Sequence, residues 1–296
     1  MSFQERLSAR TRAVENTLCV GIDPVLDKIP LPGPPEERIR RFYGDLLEAM
    51  LAQRVLPAAA KPNIAYFEAL GLPSLLALQE IIAAYRQAGI LVVLDAKRGD
   101  ISSTSGAYAK MAFEVFGADA VTVAPYMGLD TIRPFKDVAK DQGIYVLVRT
   151  SNPSAKDFQE LQVVDAGAPS GGGGAVPLYR KVAEKLADWN DGNLGAVVGA
   201  TAPRELRELL AYWLGRGQDM PVLIPGVAVA GVSGGQSGSL ADVYAAIADA
   251  GSDPHLHLIN SSSGINYAYE KFPGLKPAEA SVRAAQELIG EIGKFL

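Results

Sequence analysis

The chain has 296 residues, 48% hydrophobic and 21% charged, with a net charge of -5, one cysteine and two histidines. The acidic balance argues against a nucleic-acid partner, which needs a basic face, and no run of about 18 apolar residues offers a membrane span. The polar start Met1-Ser2-Phe3-Gln4-Glu5-Arg6 lacks the apolar core of a secretory signal, and the lone Cys19 cannot close an internal disulfide, so a cytoplasmic protein is expected.

Residues 1–16 are expected to form a helix ahead of the first short apolar run, 18–22. Seven further runs follow, at 55–60, 90–94, 118–123, 144–148, 195–200, 221–224 and 255–259. They are rich in Val, Ile and Leu and too short for most helices, as strands buried on both faces are. Helical patterns separate them. Residues 36–52 join the first two runs. Pro73 opens a helix with the stripe Leu75, Leu78, Ile82 and Tyr85, closed by Gly89. Residues 102–116 stop at Gly117, and 129–142 stop at Gly143 despite Pro134 in the first turns. Residues 176–189 follow the patch Ser170-Gly171-Gly172-Gly173-Gly174, which reads as a flexible surface loop or a lid. Pro203 starts a helix ended by Gly215, 239–250 ends at Gly251, and Pro277 opens the last.

Eight β/α units in this length predict an α/β fold, a single (β/α)8 TIM barrel over residues 1–296 with the N-terminal helix covering its bottom. A doubly wound open sheet is the alternative, but no G-x-G-x-x-G follows the first run. Cys19, inside an apolar run, reads as a buried small hydrophobe. His255 and His257 alternate on a strand-like segment; without a cysteine cluster or H-E-x-x-H no metal site is expected.

In such a barrel the C-terminal strand ends form the active face. Strand three delivers Asp95-Ala96-Lys97-Arg98-Gly99-Asp100, a D-x-K-x-x-D array. Charges gathered at a buried strand end are costly unless they pair or do chemistry. Strand one adds Asp23 and strand two Lys61. Strand four ends Val123-Ala124-Pro125-Tyr126, and strand five Arg149-Thr150-Ser151-Asn152-Pro153. Strand seven ends Pro225-Gly226 before a Gly/Ser-rich loop containing Gly234, Gly235 and Gln236. Strand eight ends Asn260-Ser261-Ser262-Ser263-Gly264. The glycines of these last two loops allow close approach to a phosphate. Asp23, Lys61, Asp95 and Lys97 are therefore expected to converge, with Pro225, Ser262 and Ser263 among the substrate-binding positions.

The motifs Gly21-Ile22-Asp23-Pro24, Ala60-Lys61-Pro62-Asn63, D-x-K-x-x-D and Thr150-Ser151-Asn152-Pro153, in this order, resemble the orotidine 5′-phosphate decarboxylases, in their longer bacterial form. The resemblance runs from about residue 10 to 290. It implies decarboxylation of orotidine 5′-monophosphate to UMP, the last step of de novo pyrimidine nucleotide synthesis, with no cofactor and no metal. It implies that Lys97 protonates C6 and that Asp95 sits beside the substrate carboxylate. Asp100, with Ile101 and Thr104, would reach the site of a second subunit in a homodimer. It also implies that Asp23 and Lys61 bind ribose hydroxyls, Ser151 the pyrimidine amide, and Gln236 both base and phosphate. The chain departs from the family at the phosphate end. Ser263 stands where the family usually has an arginine, and the loop between Gly226 and Gln236 is longer. Two other readings share these residues: another sugar-phosphate lyase of the same superfamily, typically Mg²⁺-dependent, and a non-catalytic nucleotide-binding barrel.

Overall fold

In the computed structural model, which describes residues 1–164, 174–227 and 238–296, the apolar runs become eight parallel strands closed into a barrel. In chain order these are β1 (Leu18–Ile22), β2 (Ala59–Pro62), β3 (Leu91–Arg98), β4 (Ala120–Val123), β5 (Gly143–Arg149), β6 (Leu194–Val198), β7 (Val222–Pro225) and β8 (His257–Ser261). Each pairs with the next, and β8 returns to β1 with Ile259 opposite Leu18. The expected barrel is present, with helices between its strands. No helix among the described residues is long and apolar enough to cross a membrane.

Because strand side chains alternate, one set fills the barrel and the other meets the helices. The interior holds Cys19, Ala59, Val93, Ala120, Tyr145, Val197, Leu223 and Leu258, all buried. The helix Phe3–Ala13 closes the bottom. Ser2 and Glu5 form its capping box, and Phe3 and Leu7 enter the interior cluster. Phe3 meets Tyr145 edge-on, ring centroids 5.8 Å apart, in space that exists because Gly143 has no Cβ. Arg6 and Arg86 both pair with the buried Asp119, fastening this helix to the barrel. Outside the strands, Tyr43, Phe67, Tyr85, Phe135 and Trp213 pack under the helices.

The structure moves several expected boundaries. The second strand begins at Ala59, not at 55. Arg54 takes a left-handed conformation (φ 57°) at the end of the helix Pro35–Gln53, and the Val55 N–H returns to the Met50 carbonyl at 3.0 Å. Val55 is thus the apolar residue that follows a helix end, not a strand residue. The third strand continues to Arg98, carrying the charged motif on the strand itself. In the eighth, His255 lies in a short turn, Pro254–Leu256, capped by Asp253, and only His257 is in the strand. The helix expected over 102–116 spans Ser102–Lys110 and widens into a π turn at Met111–Val115. The helix expected to reach 142 stops at Val138. That expected from 176 starts at Leu178, because Val176–Pro177 pairs with Gln162–Val163 in a small antiparallel ribbon. Most of the glycine patch, Ser170 to Gly173, and Gly234, Gly235 and Gln236 lie outside the described residues.

Candidate active site

One inward step above Cys19 and Ala59, the barrel turns polar. Gly21 and Lys61 sit side by side on β1 and β2, Asp95 follows Val93 on β3, and Thr122 follows Ala120 on β4. Lys61 Nζ lies 3.0 Å from Asp95 Oδ2, and Lys97 Nζ lies 2.6 Å from Oδ1 and 2.8 Å from Oδ2. The Lys61 and Asp95 side chains are each 6% exposed, whereas that of Lys97 is 49% exposed. One buried carboxylate therefore sits between a buried ammonium and one that opens to the mouth.

Burial alone would favour the neutral forms, but the charges beside each group outweigh it. The Asp95 carboxyl is held well below its ordinary range by Lys61 and Lys97 against the opposing effect of burial. Lys61 is held above its ordinary value in spite of burial, by Asp95 and then Asp23. Both groups are charged throughout the working pH range. Beneath them, burial pushes the Cys19 thiol up to about 12, so it is an inert neutral packing group.

Asp23 stands at the end of β1, partly exposed, with Oδ1 buried and bonded to nothing among the described residues. Its carbonyl accepts a 2.7 Å hydrogen bond from the Tyr267 hydroxyl, which accepts in turn from the Val25 N–H. The backbone is held while the carboxylate keeps a free acceptor. Ser151 packs over Gly199, where a Cβ would lie 2.9 Å from that of Ser151. Pro225 anchors β7 by accepting the Ala200 N–H at 2.9 Å. Ser262 fills the space left open at Gly21, and Ser263 is exposed at the start of the short helix Ser263–Asn266.

The structure thus brings Lys61, Asp95 and Lys97 together, with Asp23 at their rim. Asp100 stays apart. Its Oδ1 accepts the Ile101 N–H at 2.8 Å, and it makes no ion pair among the described residues. Ile101 and Thr104 are exposed beside it. Two polar residues were not among the expected site residues. Thr122 Oγ1 donates to Asp95 Oδ1 at 2.8 Å, and Asn260 Nδ2 donates to the Cys19 carbonyl at 3.0 Å. A polar residue at an inward position of a buried strand is the signal that could have found both.

Residues 17–266 match the family described as orotidine 5′-phosphate decarboxylase / HUMPS. The chain belongs to this family. It is 38% identical to an orotidine 5′-phosphate decarboxylase of Thermomicrobium roseum, over 99% of this chain and 97% of that one. It is 41% identical to one of a Janthinobacterium species, over 100% of both. Among solved structures it resembles the OMP decarboxylase of Leishmania donovani, with 33% identity, 99% of both chains covered and a TM-score of 0.72. The matched span runs from the residue before β1 to the end of the short helix after β8, so it encloses the whole charged mouth.

Proposed function

We propose that this barrel decarboxylates orotidine 5′-monophosphate to UMP without a cofactor, and that Lys97 is the proton donor. The observation that carries this reading is the Lys61–Asp95–Lys97 array, which lies within the span that matches the family. In the reaction the C6–carboxylate bond breaks and its electron pair stays on C6 as CO₂ leaves. The Lys97 ammonium gives a proton to C6 and takes one back from solvent. A vinylic carbanion has no internal electron sink, so a cation already in place lowers the barrier without reorganising at the moment of reaction. Asp95 keeps that cation positioned and faces the departing carboxylate.

Asp23, with its unbonded carboxylate oxygen, and Lys61 bind the ribose hydroxyls in this reading. Ser151 meets the pyrimidine amide, and Gln236 spans base and phosphate. Pro225, Ser262 and Ser263 line the remaining edge. Asp100, half-buried and without an ion pair among the described residues, and the exposed Ile101 and Thr104 serve the site of a second subunit in a cytoplasmic homodimer. Phosphate binding far from C6 supplies energy that can assemble the site. The test is UMP formation from orotidine 5′-monophosphate, measured with and without EDTA. Turnover unaffected by EDTA supports the reading. Turnover abolished by EDTA favours a Mg²⁺-dependent lyase of the superfamily, and tight UMP binding without turnover favours a nucleotide-binding barrel.

A further inference from the structure

The ladder between β3 and β4 breaks at the charged motif. Leu94 pairs with Val121 and Arg98 with Val123, so Asp95, Ala96 and Lys97 together face the single residue Thr122. A bulge of this kind re-aims side chains but leaves backbone groups unpaired. Here it also puts Lys97 at φ 45°, a left-handed conformation that a lysine rarely adopts and that persists only where neighbours impose it.

Thr122 supplies that imposition. Its hydroxyl accepts the N–H of Ala96 at 3.0 Å and of Lys97 at 2.9 Å, and donates to Asp95 Oδ1 at 2.8 Å. One donor and two acceptor sites are all that a hydroxyl has, and all three are spent on the motif. The residue is 1% exposed, and its β-branched side chain is stiff at χ1. The hydroxyl therefore stands where the bulge removed a ladder acceptor, and ties the backbone of Lys97 to the carboxylate that its ammonium faces.

We infer that Thr122 is a positioning residue of the reaction: it locks the bulge that aims Asp95 and Lys97 into one geometry. It acts through those residues and touches no substrate. This rests on the decarboxylase reading above. Misplacing a reacting group by about 1 Å can cost on the order of 100-fold in rate, so the lock belongs to catalysis as well as to folding.

The test compares wild type, Thr122→Val and Thr122→Ser at a temperature where all three are folded. Valine keeps the shape and removes the hydroxyl; serine keeps the hydroxyl. Thr122→Val is expected to lower kcat roughly 10- to 100-fold, with KM for orotidine 5′-monophosphate within about twofold of wild type. Thr122→Ser is expected to stay within about fivefold of wild type. A purely structural role would lower the melting temperature and leave the kcat of the folded enzyme alone. Wild-type kcat in Thr122→Val, or a loss confined to KM, overturns the inference. Amide hydrogen exchange at Ala96 and Lys97, read on the same proteins, separates the two readings. If wild type does not turn over the substrate, the decarboxylase reading fails. Faster exchange at both amides in Thr122→Val but not in Thr122→Ser then still supports the lock, and unchanged exchange overturns it.

Discussion

Lys61 and Asp95 form an ion pair of 3.0 Å with both side chains only 6% exposed. A buried charge that loses its partner is costly, whereas removing both charges is far less so. Asp95→Asn, which leaves Lys61 without its counter-charge, is expected to destabilise the fold by about 3–5 kcal/mol. The double variant Lys61→Met/Asp95→Asn should recover part of that loss in urea unfolding, although both variants lose activity.

His257 makes stability fall on mild acidification. It is buried in β8, where Nδ1 accepts the Val222 N–H and Nε2 faces the Ser252 hydroxyl at 2.8 Å. Ser252 donates in turn to Asp219. Burial pushes the imidazole down to about 4 from an ordinary 6.5, with Asp253 opposing. The unfolded chain therefore binds a proton that the folded chain refuses between these values. The contribution is complete above pH 6.5 and is lost as the pH falls toward 4, amounting to roughly 3 kcal/mol. Urea midpoints at pH 7 and 4.5 should differ more in wild type than in His257→Gln.

Gly21 and Gly44 should respond to alanine in opposite ways. A Cβ on Gly21 would overlap the Ser262 hydroxyl and lie 3.0 Å from the Ser262 Cα, so the end of β8 must shift. Gly21→Ala should impair turnover strongly. Gly44 sits inside the helix Pro35–Gln53 with nothing within 4 Å of an added Cβ. Gly44→Ala should raise stability by about 0.5–1 kcal/mol and leave kinetics unchanged.

The phosphate end gives a kinetic prediction. Ser263 is exposed at the start of the short helix after β8, where the resemblance implies an arginine, and a bidentate Arg–phosphate contact is a strong one. Ser263→Arg should lower KM by roughly 10- to 100-fold, since a hydrogen bond to a charged group contributes about 1.5–3 kcal/mol. Unchanged kinetics would mean that another residue already grips the phosphate.

The proposed sharing of the site between two subunits of a homodimer can be tested by mixing. Lys97→Ala and Asp100→Ala homodimers should each be inactive. Mixed and allowed to exchange subunits, they should recover up to about a quarter of wild-type activity, because half the dimers carry one intact site of two. No recovery despite exchange would place Asp100 outside the partner's site.

The eight strands were legible because short apolar runs, each ended by turn residues and separated by helical patterns, are what buried parallel strands require. Asp23, Lys61, Asp95 and Lys97 were legible because charge is expensive at a buried strand end. Thr122 was not, since a threonine within Ala120–Val123 has the composition of an ordinary strand, and its role exists only through the bulge in the neighbouring strand. Val55 misled for the opposite reason. Its apolar side chain serves a helix end, a distinction set by the left-handed Arg54 rather than by hydrophobicity.

The most direct test of the central claim is single-turnover decarboxylation by Lys97→Ala, with UMP binding measured on the same protein. The account predicts a rate lower by at least about 1,000-fold, the loss of both a proton donor and a pre-placed cation, while the protein stays folded and binds UMP. A Lys97→Ala enzyme that decarboxylates orotidine 5′-monophosphate at close to the wild-type rate would contradict it.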